Sequence, residues 1–462
     1  MDKSLIFSEQ VRVSFSAQAS LAALGRKLKS LKRFEPITQT VQIAQKTVKY
    51  TPPDKLLDAF ISLLAGAQGL GEINKRVKAD VGLQRAFGRT GCAEQSVVQE
   101  TLDACTAENV TQMEQALPTI FRRHSQSYRH DYQLHGQLMD VAMTGRPCGP
   151  KAVFASKGYF AHQRNRRGRP EGYGLAPWYE ELVVKRVFAG KTQLNTALQP
   201  RVTAAEAVLN LDEGQWRRTI LRIDAGGGRV EEVNWALERG YQVHGKDYSG
   251  TRSKALAASV ETWLPDPHDS RRQMGWVTTP APRDCRPIRR IAVRCRKNHG
   301  PWGYGVILST LHPSAVLHLT GGYVFDRENP PAVLLAYVHF YDQRGGGVET
   351  AIKADKQGLS TAKRNKKRFA AQQVLSALEV LAHNVLLWAR HWLVPHAPTL
   401  TRLGLKRLRR DVFQMNGILI FDQSFELVQV ILNQADPWAK TLCQGLAALL
   451  PQEHVAVSLG ET

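Results

Sequence analysis

LRIDAGGGRVEEVNWALERGYQVHGKDYS, residues 221–249, decides the fold class of this chain. It completes an apolar run, RRTILRID, that reads as a buried strand ending in a glycine turn, Gly226 to Gly228. EEVNWALERGY then has helical spacing, and QVHGKDYS reads as a second strand. Strand, turn, helix and strand in that order make the centre of the chain α/β. Two chemistries compete for the turn. If the glycines cradle a nucleotide and Asp247 binds its ribose, the chain is an enzyme using S-adenosylmethionine or NAD. The spacing, however, is G-G-G rather than G-x-G-x-x-G, and Glu231 and Glu232 at the helix start would repel a pyrophosphate. If instead Asp224 is the working group, it stands at the C-terminal end of a central strand, where carboxylates can hold two divalent cations about 3.5–4 Å apart. Such a site needs more than one carboxylate; an isolated Asp224 would only bond its own turn.

The rest of the composition favours a polyanionic partner. Lys plus Arg number 62 against 41 Asp plus Glu, a net charge of +21, in a chain of 462 residues that is 43% hydrophobic. That excess points to nucleic acid phosphates before a membrane surface, because no strongly amphipathic basic helix stands out. No apolar run of about 18 residues occurs, so no membrane span is expected. The start, MDKSLIFSEQVRVSF, lacks a signal-peptide pattern, and the six cysteines form no C-x-x-C pair; both suit a cytoplasmic, reducing location.

Outward from the centre, residues 1–133 read as a mostly helical domain with a helix-turn-helix flavour. Its basic run GRKLKSLKRF (25–34) is either an arm for DNA phosphates or a solvated helix. LHGQLMDVAMTG (134–145) and PKAVFASKGYF (150–160) read as strands. AHQRNRRGRPEGYG reads as a loop whose Arg164, Arg166, Arg167 and Arg169 favour phosphate contact. YEELVVKRVFAGKTQLNTALQPRVTAAEAVLN (179–210) reads as helix, residues 270–340 as basic strands that include AVLHLTGGYVF and AVLLAYVHFY, and 346 to about 392 as helix stopped by Pro395.

A second carboxylate enters 125 residues after Asp224. FYDQRGGGVETAIKADKQG holds Tyr341, Arg344, Glu349, Lys353 and Lys356. A helix starting near Gly347 brings Glu349 and Lys356, seven residues apart, to one face within about 20°. A carboxylate beside a lysine suits a metal ion facing a phosphate. Glu349 and Lys353 could alternatively form a surface pair worth about 0.3–0.5 kcal/mol.

These segments resemble bacterial insertion-sequence transposases of the DDE type, of the superfamily with a Tyr-Arg-Glu-Lys signature. Tyr341-x2-Arg344-x4-Glu349-x6-Lys356 carries the signature, LRIDAGGG and NWALERGY the upstream strand and helix, and VAMTGRP with KGYFAHQRNRRGR extends the likeness, which spans about residues 55–395. The resemblance implies an α/β ribonuclease-H-like catalytic core with a strand-rich insertion, preceded by the helical DNA-binding domain. The division expected is 1–133 for that domain, 134–265 for the first part of the core, 266–340 for the basic insertion, 341–395 for the last part of the core, and 396–462 for a region of dimerisation or DNA contact. It further implies Asp224 and Glu349 as Mg²⁺ ligands, with Mn²⁺ substituting, at a two-metal site. Tyr341, Arg344 and Lys356 would contact phosphates near the cleaved end, and Trp302 in the insertion would stack on a flipped base, the plainer reading being a core or turn Trp. Lys363 and Arg364, in KRNKKR (363–368), would grip flanking DNA or form a solvated face. The expected partners are double-stranded DNA, both transposon ends and target, bound by a homodimer in the nucleoid, with hairpin ends as intermediates.

Two positions depart from the family pattern. Four residues rather than three separate Arg344 from Glu349. On the strand LMDVAMTG the pattern is Asp-x-Asp-x-Thr, and its metal-binding Asp falls on Ala142. Asp140 lies on the same face about 6.5–7 Å away and would have to serve in its place. Loss of that carboxylate opens the alternative of a non-catalytic DNA-binding protein derived from a transposase.

Overall fold

The structure, a computed structural model, describes residues 12–47, 49–160, 163–279, 283–296, 300–322 and 328–461. In chain order a strand β1 (Arg12–Ser16) leads into helices α1 (Ala19–Ser30), α2 (Glu35–Thr40), α3 (Pro52–Leu64), α4 (Val81–Ala86), α5 (Gln95–Ala104) and α6 (Ala107–His124). Strands β2 (Gln137–Pro147), β3 (Ser156–Phe160), β4 (Gln163–Ala176) and β5 (Glu181–Val187) follow, then α7 (Leu194–Leu209) and α8 (Glu213–Arg217). The quoted centre forms β6 (Thr219–Ile223), α9 (Val230–Glu238) and β7 (Gln242–Lys246). After α10 (Gly250–Ala257) come β8 (Leu264–Asp266), β9 (Asp269–Trp276), β10 (Arg289–Arg296) and β11 (Trp302–Ser309), then α11 (Pro313–Leu319), α12 (Pro330–Asp342), α13 (Val348–Gly358) and α14 (Phe369–Leu393). The chain closes with α15 (Leu405–Arg407), β12 (Gly417–Phe421), β13 (Leu427–Asn433), α16 (Ala439–Leu449) and β14 (Ala456–Gly460).

One mixed sheet positions the site. Across it the order is β4, β2, β6, β7, β11, β10, β9, β8, with β3 and β5 both paired to the outer edge of β4. β4 is antiparallel to β2, β6 and β7 run parallel to β2, and the hairpins from β11 to β8 extend the same sheet antiparallel. Strand alternation then sorts the residues of the central strands onto two faces. Met139, Val141, Leu221 and Ile223 pack with Leu198 and Val202 of α7 and with Val233 and Leu237 of α9. Leu138 and Ile220, on the opposite face, meet Leu334 and Tyr337 of α12, and Ala142 meets Val348 and Ala351 of α13.

Several expectations are corrected. The segment 163–176 is strand β4 and not a loop, and residues 181–187 are strand β5, not the start of a helix. AVLHLTGGYVF and AVLLAYVHFY contribute helices α11 and α12 in place of strands, and strand structure in 150–160 is confined to Ser156–Phe160. The arm expected at 25–34 is part of the body. Lys27 pairs with Glu453 at 2.8 Å, Arg26 with Glu426 at 3.2 Å, and Lys29 also with Glu426, so these cations are spent on the C-terminal segment. β1 likewise pairs with β12, in a second sheet of order β1, β12, β13, β14 that joins both ends of the described chain. Among the described residues no helix is long and apolar enough to cross a membrane.

Candidate functional site

A polar row crosses the sheet beneath the site. Asp140 is opposite Arg222 in the β2–β6 register, Arg222 opposite His244 in β6–β7, and His244 opposite Ser309 in β7–β11. Arg222 Nε and Nη2 donate to the two Asp140 oxygens at 2.6 and 2.9 Å, and its Nη1 donates to the Phe340 carbonyl at 2.7 Å. Asp140 Oδ2 also accepts from the Val348 N–H, at 3.3 Å, at the start of α13. All four residues of the row are buried. Asp140 is therefore consumed in holding α13 to the sheet, and the substitute role expected for it as metal ligand is not the one its neighbours give it.

Two residues further along β2 and β6 the row changes character. The parallel register pairs Val141 with Ile223, and its next step sets Ala142 beside Asp224. Asp224 is half-buried and caps its own turn, accepting from the Gly226 N–H at 2.8 Å. Tyr341, at the end of α12, faces the same place: burial raises its hydroxyl pKa, Arg344 opposes that, and Asp224 and Glu349 add to it. Arg344 is buried, donates through Nη2 to the Val141 carbonyl at 2.9 Å, and places Nη1 3.8 Å from Glu349 Oε1. Glu349 keeps its side chain 65% exposed, free to turn toward a ligand. Tyr341, Asp224, Arg344 and Glu349 thus converge, with the extra glycine of Gly345–Gly347 absorbed in the turn before α13.

Lys356, two turns along α13, donates from Nζ to Thr144 Oγ1 at 2.6 Å, and burial lowers its ammonium pKa. It sits over β2 beyond Ala142 and so borders the group. The carboxylates in the group are Asp224 and Glu349; Ala142, where the resemblance leads one to expect a third, packs against Tyr173 and Val348. Among the described residues no three His, Cys, Asp or Glu side chains are grouped to hold a metal ion.

The basic residues divide by burial. Arg164, Arg166 and Arg167 lie on the exposed first half of β4. Arg169 is fully buried, donating to the carbonyls of Val153, Lys366 and Lys367, and Arg364 is 2% exposed with its nitrogens on the carbonyls of Leu359 and Ala67. The DNA contacts expected of Arg169 and Arg364 are corrected: both stitch loops together. Lys363 is exposed and bonds Gln68 Oε1 at 2.6 Å. Trp302, half-buried on β11, carries Arg294 at 4.6 Å and Arg296 at 4.2 Å over its ring, and Arg294 also lies 4.2 Å from Trp263.

Sequence reasoning missed a buried charge network behind Lys356. Arg146 meets Glu171 at 2.7 Å and Glu379 at 2.6 Å; Lys185 meets Glu379 at 2.8 Å and Asp355 at 3.4 Å; His383 Nδ1 lies 2.7 Å from Asp355. Charged residues inside apolar segments of β5 and α14 were the available signal, since such groups are buried only with partners.

The glycine turn does not cradle a nucleotide. Its amides are satisfied from within, Gly226 on the Asp224 side chain, Gly227 on the Asp224 carbonyl and Gly228 on the Ala225 carbonyl. Gly228 is required by packing, because a Cβ there would lie 1.9 Å from the Lys246 carbonyl oxygen. Asp247, the alternative ribose ligand, is buried against Arg252 at 2.6 Å.

No family model matches the chain, and no curated protein matches it. Among solved structures, the cryo-EM structure of a piggyBac transposase synaptic complex with hairpin DNA aligns with 87% of this chain and 82% of that chain at 10% identity and a TM-score of 0.46, a likeness too loose to assign a fold or a residue.

Proposed function

We propose that this chain is a DNA-binding protein of the DDE transposase kind, recognising terminal inverted repeats as a homodimer, with a strand-cleavage centre that lacks its first carboxylate. Support for a ribonuclease-H-like core comes from the sheet. Antiparallel β5, β4 and β2 are followed by parallel β6 and β7, with α7 and α9 on one face and α12 and α13 on the other. The strands β8 to β11 support the reading of a strand-rich insertion, and Trp263, just before β8, with Arg294 and Trp302 forms a stack that would serve as a surface for bases or phosphates.

The observation that carries the reading is the position of Ala142. It lies beside Asp224, while the nearby Asp140 is neutralised by Arg222. Mg²⁺ or Mn²⁺ would be the cofactor of an intact centre, yet Asp224 and Glu349 with an alanine between them do not make the donor set that two divalent ions need. DNA affinity does not depend on that set, because it comes from cations facing phosphates.

The test is a paired assay of the chain and its Ala142→Asp variant on labelled ends of the element with Mn²⁺, read for nicks and hairpins on a denaturing gel. Binding by both and cleavage by Ala142→Asp alone is expected. Cleavage by both overturns the silenced centre, and binding by neither overturns the DNA-binding reading.

A further inference from the structure

The connection from β2 to β3, residues 148–155, carries two adjacent apolar side chains in solvent, Val153 at 46% exposure and Phe154 at 60%. Left outside, they forgo the stabilisation that burial gives. Phe154 also sits at φ +59°, in the left-handed region where a side chain with a Cβ is strained and glycine or asparagine is the easier choice. Exposure and strain at one residue are a cost that the fold alone does not explain.

The tip is nevertheless held firmly. Buried Arg169 donates to the Val153 carbonyl through Nε at 2.9 Å and Nη2 at 2.6 Å, and the Val153 N–H donates to the Lys367 carbonyl at 2.9 Å. The Phe154 carbonyl accepts from the Gly190 N–H at 2.8 Å, and the Ala155 N–H donates to the Ala152 carbonyl at 3.2 Å. The Phe154 ring stands nearly perpendicular to that of Phe369, at the start of α14, with centroids 5.3 Å apart. Side chains on so fixed a backbone lose little freedom on entering a partner.

The segments that meet at the tip carry charge of one sign. Residues 148–170, 182–205 and 356–378 contain no Asp or Glu. Arg167 donates to the Ala155 carbonyl at 3.3 Å, and Lys157 is its register partner across β3 and β4. Both are exposed, as are Lys151, Arg164, Arg166 and Lys367. A protein partner would have to surround the apolar tip with an acidic rim, whereas duplex DNA offers phosphates on either side of an apolar stack at every base step. We propose that Val153 and Phe154 form a wedge that enters between base pairs and unstacks them, while the cations beside it hold the flanking phosphates. The proposal rests on the DNA-binding reading and adds to it a deformation of the duplex.

Unstacking is easier where pairing is already broken, so a wedge favours a mismatched duplex over a perfect one with the same number of phosphates. Anisotropy titrations of the full chain on two short labelled duplexes, identical but for one central mismatch, test it. The parent should bind the mismatched duplex about tenfold more tightly, and the double variant Val153→Ser/Phe154→Gly should bind the two alike. Glycine accepts the left-handed φ, and the hydrogen bonds that hold the tip use its main-chain atoms, so the variant should keep the parent's Tm and its salt slope. Equal affinity of the parent for the two duplexes overturns the wedge and leaves the DNA reading intact, as does a preference that survives in the double variant. Binding of neither duplex by the parent overturns the DNA reading, and the wedge with it.

Discussion

Asp140 and Arg222 are register partners on parallel strands and form a two-point ion pair, at 2.6 and 2.9 Å, with both side chains almost wholly buried. Removing one partner leaves the other charged in a medium that solvates it poorly. Asp140→Leu and Arg222→Met should each cost about 3–5 kcal/mol, whereas the double substitution should cost much less than their sum. Urea unfolding of the four proteins checks this; additive losses would mean the pair is not coupled.

Gly347 owes its identity to the same carboxylate. A Cβ there would lie 2.5 Å from Asp140 Oδ2, which is held by Arg222 and cannot swing away. Gly347→Ala should therefore destabilise the chain by about 1–3 kcal/mol, with most of the loss absent in an Asp140→Ala background. Equal losses in the two backgrounds, read by the same unfolding assay, would place the clash elsewhere.

Ala142→Asp should create metal-dependent stability as well as cleavage. Without a metal, a carboxylate beside Tyr173 and Val348 is costly to bury, so the variant should melt below its parent. With Mn²⁺ at about 100 times its dissociation constant the variant should recover about 2.7 kcal/mol, while the parent gains little. A thermal scan with and without Mn²⁺ decides, and an equal rise in both proteins would mean that residue 142 is not a metal position.

How far the sequence revealed all this depended on periodicity. β6, α9 and β7 were legible because their apolar positions match the strand and helix repeats and glycine separates them. In the sequence α12 reads as a strand because a helix buried on most sides shows little period, although Pro330 and Pro331 mark a helix start. β5 reads as helix because LVVKRVF places apolar residues at spacings that fit both repeats. The convergence of Tyr341, Arg344 and Glu349 was readable within one segment. The partner of Asp140 was not, since 82 residues separate the pair, yet an arginine inside the apolar strand TILRI already demanded a buried acceptor.

His244 makes acid sensitivity part of the polar row. Burial, reinforced by the neighbouring Arg222 charge, lowers it from an ordinary 6.5 to about 3. The folded state thus disfavours its protonation: the stability contributed is complete above pH 6.5 and is lost as pH falls from there toward about 3. The slope should approach about 1.4 kcal/mol per pH unit for this one proton. His244→Asn retains a polar atom for Ser309, which His244 Nδ1 meets at 3.1 Å, and does not titrate. Unfolding free energies between pH 4 and 7 should show a slope shallower by about that amount in the variant, and an unchanged slope would assign the acid sensitivity to other groups.

The burial of the basic residues separates DNA contacts from scaffolding. Each exposed cation that displaces a counterion from duplex DNA adds about 0.9 to the slope of log affinity against log salt. Replacing Arg164, Arg166 and Arg167 together by Ala should lower that slope by up to about 2.7 and weaken binding without altering Tm, because all three side chains are exposed. Arg169→Ala and Arg364→Ala should behave oppositely. Each leaves buried carbonyls without donors, that of Lys366 in one case and those of Leu359 and Ala67 in the other, at about 1–3 kcal/mol or more. Binding isotherms at several salt concentrations, alongside melting curves, distinguish the two groups. A salt slope unchanged in the triple variant would move the DNA face off β4 and toward the Trp263–Arg294–Trp302 stack.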